Sequence, residues 1–249
     1  MRFLFVAVTA LFLTFSTHGN VADADSFSKR SKKGSRADSF SKRSKQGSRA
    51  DRFSKRSKQG SRADSFSKRF KKGSYDFGAQ IGGGYTFDLP PGRDRTDITM
   101  LFFFPNWQYN VTGLIGESWY QGALFHHGEA GFANALKWGS GSGRKKNGGG
   151  WLWGFSPLMA QYKFLSPKRK WAPNILLGAG FSYGDWTYLA PGEISTAFEF
   201  LLHAGAGIEF YNRTNAWSLN YRLFHLSNSA IRFPNIGLNA HVFSLGMRF

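Results

Sequence analysis

Trp217-Ser-Leu-Asn-Tyr-Arg-Leu-Phe-His-Leu-Ser227 and, ten residues later, Leu238-Asn-Ala-His-Val-Phe-Ser-Leu-Gly-Met-Arg-Phe249 are the two stretches that decide the fold. In an extended strand, residues two apart share a face. The odd set of the first stretch opens apolar, with Trp217, Leu219, Tyr221 and Leu223, and ends on His225 and Ser227, while the even set opens with Ser218, Asn220 and Arg222. The second stretch repeats the pattern. Phe243, Leu245, Met247 and Phe249 follow Asn239 and His241 on one face, against Ala240, Val242, Ser244, Gly246 and Arg248 on the other. An apolar outer face over a small or polar inner one is the signature of an outer-membrane barrel strand.

The rest of the C-terminal region supports that reading. Aromatic residues make up 17% of the chain, and its 30 glycines suit close-packed strands between aromatic girdles. Eight strands are expected near residues 75–87, 96–107, 114–125, 151–164, 174–183, 196–210, 216–227 and 238–249, most of them reaching the roughly 9 to 11 residues a tilted membrane strand needs. The sixth alternates Phe198, Phe200, Leu202, Ala204, Ala206, Ile208 and Phe210 with Glu199, Leu201, His203, Gly205, Gly207 and Glu209. Its carboxylates then point inward, where Glu199 and Glu209 are expected to neutralise Arg222, since an unpaired interior charge is costly. A secreted sandwich also alternates, but it turns its apolar face inward and has no use for aromatic faces on strand after strand. The expected fold is all-β, an eight-stranded antiparallel outer-membrane barrel preceded by a disordered basic repeat tail, with the barrel spanning residues 75–249.

Residues 1–23 read as a secretory signal: Arg2, an apolar run over residues 3–15, then small and polar residues, with cleavage after Gly19 or after Ala24. The run is too short to span a bilayer. Ala24, Ala37, Ala50 and Ala63 each open a 13-residue unit built on Ala-Asp-Ser/Arg-Phe-Ser-Lys-Arg, and the four copies carry +4, +3, +4 and +3 of the net +18. The basic character is therefore concentrated in residues 24–74, a segment too poor in apolar side chains to bury a core and expected to be disordered, and the rest of the chain is only mildly basic. This concentration removes the nucleic-acid partner that a whole-chain charge suggests. The tail's own chemistry is electrostatic, directed at phosphate groups or another polyanion, or that of a solvated linker. With no cysteine, the exported chain has neither disulfides nor a thiolate metal site nor a cysteine nucleophile.

With short turns and both chain ends on the periplasmic side, odd strands run outward. His225 and Ser227 then lie at the outer end of the seventh strand, with Asn239 and His241 beginning the eighth beside them. A serine hydroxyl needs a base to become a nucleophile, and a histidine two residues away on the same strand face supplies one. At the outer end of a lipid-facing strip such a polar pair is expensive unless it meets a head group or does chemistry.

The run Phe224-His225-Leu226-Ser227-Asn228, followed by Pro234-Asn235-Ile236-Gly237-Leu238-Asn239, resembles the PagL-type lipid A 3-O-deacylases, also called acyloxyacyl hydrolases. The likeness extends loosely through the sixth strand and residues 153–164 and covers none of the repeats. It implies a Gram-negative outer-membrane barrel whose serine removes the ester-linked 3-hydroxyacyl chain at position 3 of lipid A without a cofactor. Carried over by motif position, Ser227 is the nucleophile and His225 the general base, while Asn228, Asn235 and a backbone N–H near Gly237 stabilise the oxyanion. One position departs from the family pattern: where a glutamate orients the histidine, this chain has Asn239. Asparagine accepts the imidazole hydrogen bond but adds no charge to balance an imidazolium. Glu193, in the preceding outer loop, is the alternative acid; Glu199 points inward by parity. His241 shares the face and suits phosphate contact or proton relay, and Arg232 is the nearest cation to the outer rim.

Two other readings stand beside this one. A non-catalytic barrel that binds lipopolysaccharide or anchors the periplasmic basic tail is favoured by Asn239, and hydrolysis of phospholipid esters needs the same serine. His126, His127 and Glu129 make a poor metal site, because adjacent histidines on a strand face opposite ways. Residues 139–150, with Arg144, Lys145 and Lys146, read as a solvated periplasmic turn.

Overall fold

The computed structural model describes residues 66–88, 96–140, 146–165, 170–191, 193–212 and 214–249. The segment expected to be an export signal, the first three repeat copies and the first three residues of the fourth lie outside them. Eight strands follow: β1 (Tyr75–Phe87), β2 (Thr96–Asn110), β3 (Gly122–Ser140), β4 (Lys146–Phe164), β5 (Trp171–Gly184), β6 (Phe198–Tyr211), β7 (Ala216–Ser227) and β8 (Leu238–Arg248). Each pairs antiparallel with the next, and β1 pairs with β8, which closes the barrel and leaves no free edge.

The alternation read from the sequence is the wall's two-sidedness. Outward residues such as Leu219 (53% exposed) and Phe243 (54%) present an apolar surface, whereas Arg222 on the inward face of β7 is 2% exposed. Exposed aromatics mark both ends of this band: Tyr75, Phe77, Trp119, Trp171, Trp217 and Phe249 near the chain ends, and Tyr85, Trp151, Tyr183, Tyr188 and Phe198 at the opposite end. Such girdles belong at membrane interfaces.

The third strand is where the expectation fails most. Residues 114–125 were expected to form it, but it runs over Gly122–Ser140, and residues 111–121 are mostly loop. Its sequence is rich in Gly, Ala and His, so it carries little aromatic or β-branched signal, and register shifts fall between His127 and Glu129 and between Ala135 and Lys137. Bulges of this kind break strict alternation. Gly128 shows the use of a missing side chain: a Cβ there would run into the Trp107 indole, so the neighbouring strand's ring covers the glycine. The β3–β4 connection, assigned above to a periplasmic turn, lies at the end away from the chain termini, together with the β1–β2, β5–β6 and β7–β8 connections.

Interior charges pair differently from the expectation that Glu199 and Glu209 neutralise Arg222. Arg222 Nη1 bonds Glu129 Oε1 at 2.7 Å, and its guanidinium stacks 4.5 Å from the Phe104 ring centroid. Glu209 holds Lys163 at 2.7 Å and Arg248 at 3.0 Å. Glu129 lies on β3, the strand that the sequence left misplaced, so its inward position was not available to the argument. At the end of the barrel bearing the β7–β8 loop, the interior holds an apolar cluster: Phe102, Phe104, Leu201, Phe224, Leu226 and Leu238 pack with Trp186, Leu189 and Ile194 of the β5–β6 connection. That cluster is a firm floor under the outer loops.

The last repeat copy is not disordered throughout. Residues 66–69 form a helical turn, and Phe66 (2% exposed) and Phe70 (3%) are buried against Ala123, Phe125, Ala172 and Tyr211. Arg69 bonds Asp76 at 2.8 Å and the Thr214 carbonyl at 2.7 Å, and the Gly73 N–H donates to the Asn110 carbonyl at 2.8 Å. The segment thus crosses the barrel mouth between the β6–β7 and β2–β3 connections and stops that end.

Candidate active site

β7 and β8 pair with His225 opposite Asn239 and Leu226 opposite Leu238. The register brings the imidazole and the amide together on the outer face, and His225 Nδ1 lies 2.8 Å from Asn239 Oδ1. Because Oδ1 only accepts, this contact places the ring proton on Nδ1 and leaves Nε2 with a free lone pair. Beside that edge of the ring is Gly237, at φ +78, where a Cβ would lie 3.2 Å from His225 Cε1 and 2.9 Å from the Leu226 carbonyl oxygen. A side chain there would be strained and would crowd the imidazole.

Ser227 is the last residue of β7 and is 7% exposed. After it, Ser229 and Ala230 take positive φ values of 57 and 64, an uncommon pair for residues with side chains. The turn sends the Ser229 N–H back to Ser227 Oγ at 3.1 Å. Asn235 approaches the same oxygen, with Nδ2 at 3.1 Å and Oδ1 at 3.3 Å. Its orientation follows from a third contact: the Asn228 backbone N–H can only donate, and it takes Oδ1 at 3.1 Å. Asn235 Nδ2 is therefore the group aimed at the serine. Two N–H donors converge on Oγ, within reach of the ester carbonyl oxygen that would gain negative charge if this hydroxyl attacked it. His225 stands two residues back on the same face, while the hydroxyl contacts in this arrangement are to Asn235 and Ser229.

The Asn228 side chain turns away from Ser227. Its Nδ2 donates to the Arg232 carbonyl at 2.9 Å and faces Ser195 Oγ and Thr196 Oγ1, each at 3.3 Å. An isolated bridge joins Ile194 to Asn235, and the Ile236 N–H donates to the Glu193 carbonyl at 3.0 Å. The β5–β6 connection therefore braces the β7–β8 loop. No residue of that brace carries a motif; about 30 residues of chain separate the two loops, and only the fold brings them together.

With this geometry in place, the sequence model of the family described as "Lipid A 3-O-deacylase (PagL)" matches residues 103–248. The chain belongs to that family. Among solved structures, it is similar to the outer membrane enzyme PagL, at 19% identity over 70% of this chain and 98% of that one, with a TM-score of 0.45. It is also similar to Ail, the attachment invasion locus protein of Yersinia pestis, at 15% identity over 72% of this chain and 100% of that one, with a TM-score of 0.35. No curated protein matches it significantly.

Membership of the PagL family covers β3 to β8 and most of β2, and so includes every residue of the His225 and Ser227 cluster. Neither carboxylate weighed as a stand-in for the glutamate that the resemblance implies is directed at the imidazole. Glu193 Oε1 accepts the Thr96 N–H at 2.5 Å, and Glu199 Oε1 takes the Thr196 hydroxyl at 2.7 Å. His241 lies one step along the outer face, bonded through Nδ1 to the Tyr221 hydroxyl at 2.8 Å and stacked on Phe87 at 4.0 Å between centroids. His126 and His127 point to opposite sides of the wall, towards the Pro157 carbonyl and towards Gln108, and among the described residues no three His, Cys, Asp or Glu side chains cluster as metal ligands.

Proposed function

We propose that this outer-membrane barrel is a serine esterase that removes the ester-linked 3-hydroxyacyl chain at position 3 of lipid A. The observation that carries the reading is the pairing of His225 Nδ1 with Asn239 Oδ1 beside a serine oxygen flanked by two N–H donors, at the end of a lipid-facing strip. Around it, Ile231, Phe233 (77% exposed) and Ile236 make the β7–β8 loop apolar, and Phe200 and Leu223 continue the apolar surface down the wall. An acyl chain still in the leaflet can reach this site without leaving its solvent.

In the proposed reaction, Ser227 Oγ attacks the ester carbonyl while His225 Nε2 takes its proton. Asn235 Nδ2 and a neighbouring backbone N–H receive the oxyanion. Collapse breaks the bond to the sugar oxygen, which takes the proton from His225, and the acyl group remains on Ser227. Water, deprotonated by the same imidazole, then attacks the acyl carbon; the bond to Ser227 Oγ breaks, Oγ takes the proton back from His225, and the 3-hydroxy fatty acid leaves. No step calls for a cofactor. In the same proposal residues 1–23 are the export signal and the basic tail belongs to the periplasmic side, because residues 66–74 pack at the mouth opposite the site.

A second reading, a barrel that holds lipopolysaccharide without turnover, is favoured by Asn239, which cannot balance an imidazolium charge. Mass spectrometry of lipid A from cells expressing the chain, or its Ser227→Ala or His225→Ala variant, separates the two. Loss of one 3-hydroxyacyl mass with the unaltered chain only is expected. An unchanged lipid A profile from a folded, heat-modifiable barrel favours the binding reading, and normal activity in either variant removes the assigned mechanism.

A further inference from the structure

The β5–β6 connection holds groups that the reaction above does not use, and they meet the site at one atom. Thr196 Oγ1 lies 2.7 Å from Glu199 Oε1 and 2.8 Å from the Phe198 carbonyl oxygen, so its proton has two acceptors, both on the start of β6. Glu199 is fully buried inside the barrel. Whichever acceptor takes the proton, the lone pairs of Thr196 remain free to receive Asn228 Nδ2 at 3.3 Å. Ser195 completes the junction: its hydroxyl donates to the Arg232 carbonyl at 2.9 Å, the same oxygen that Asn228 Nδ2 contacts.

We propose that Thr196 is a positioning residue for Ser227, carrying the fixed end of β6 through Asn228 to Asn235. The inference rests on the reading of Ser227 as the nucleophile. The path is short and each step is a hydrogen bond. Glu199 and Phe198 fix the threonine hydroxyl, the hydroxyl fixes the Asn228 side chain, and the Asn228 backbone N–H holds Asn235 Oδ1. That last bond decides which end of the Asn235 amide faces the serine. Without it, Oδ1 is free to swing towards Oγ, and an acceptor would stand where the oxyanion needs a donor. Thr196 touches neither the serine nor the substrate and acts through the amide alone.

The test uses the full-length barrel and two substitutions. Thr196→Val keeps the shape and removes the hydroxyl, whereas Thr196→Ser keeps the hydroxyl. For release of 3-hydroxy fatty acid from lipid A, Thr196→Val is expected to lower kcat about tenfold with KM unchanged, because the misplaced donor matters in the transition state. Thr196→Ser is expected to stay within about twofold of the unaltered chain, and both variants to keep the heat-modifiable mobility of a folded barrel. An unchanged kcat in Thr196→Val overturns the proposal, as does a Thr196→Ser variant equally impaired. If the unaltered chain releases no more fatty acid than Ser227→Ala, the nucleophile reading has failed, and amide exchange then judges the positioning by itself. Faster exchange of the Asn228 N–H in Thr196→Val alone upholds the link, and equal exchange in all three chains overturns it.

Discussion

At the scale of single residues, the issue is what Asn239 does in the position where the resemblance read from the sequence implies a glutamate. Its Oδ1 sits 2.8 Å from His225 Nδ1, which sets the tautomer and the ring plane. It adds no charge to stabilise the imidazolium that would form in the proposed reaction, when Ser227 gives up its proton. The two contributions separate experimentally. Asn239→Leu removes both and is expected to lower kcat by about a hundredfold, whereas Asn239→Glu keeps the acceptor, adds the charge and is expected to raise kcat above that of the unaltered chain. Initial rates of 3-hydroxy fatty acid release from lipid A check both. A rate near normal in Asn239→Leu would detach this residue from the mechanism. The pair itself was legible in the sequence, because strand parity put His225, Ser227, Asn239 and His241 on one face. The direction of the Asn228 side chain was not, since its partners Ser195 and Thr196 lie on a loop that no periodicity connects to it.

At the scale of elements, strands that alternate strictly could be read from the sequence, and those that do not were misplaced. β1, β7 and β8 fall where the pattern of aromatic and polar residues puts them, within a residue. β3 does not, because its small residues and two bulges dilute a signal that depends on period two. The repeat tail shows the opposite limitation. Composition alone made residues 24–74 a single polar segment, yet the fourth copy differs from the other three at two places, Phe70 where they have Ser and Tyr75 where they have Arg. Phe70 packs at 5.8 Å between ring centroids from both Phe125 and Tyr211, and Tyr75 begins β1. The apolar replacement at position 70 thus falls on the copy whose described residues dock against the barrel. Phe70→Ser, which restores the sequence of the earlier copies, is expected to cost the barrel about 3 kcal/mol. The check is a urea titration of the refolded protein in detergent, followed by tryptophan fluorescence. A midpoint equal to that of the unaltered chain would show that the mouth cluster contributes nothing to stability.

At the scale of the whole molecule, the barrel reverses the usual distribution of polarity, and the reversal determines how stability and function are divided. The outer wall is solvated by lipid, so the interior has to supply both the charge pairing and part of the apolar packing. It does so in zones. The apolar cluster of Phe102, Phe104, Phe224 and Leu226 lies under the loops that carry the site, and the ion pairs Glu129–Arg222 and Lys163–Glu209–Arg248 lie further along the interior among buried glutamines and asparagines. The ion pairs link strands across the barrel, β3 with β7 and β4 through β6 with β8. Arg222 joins the two zones, because its guanidinium bonds Glu129 and also stacks on Phe104 and Phe224. Removing Glu129 alone leaves that guanidinium buried without its counter-charge, so Glu129→Leu is expected to destabilise the barrel by about 3 to 5 kcal/mol. Arg222→Met in the same chain removes the stranded charge and is expected to restore most of the loss, as paired apolar replacements of buried ions do. Urea unfolding of both single variants and the double variant in one detergent completes the cycle. A double variant no more stable than Glu129→Leu would mean that the arginine contributes through its stacking on Phe104 and Phe224 and not through the ion pair.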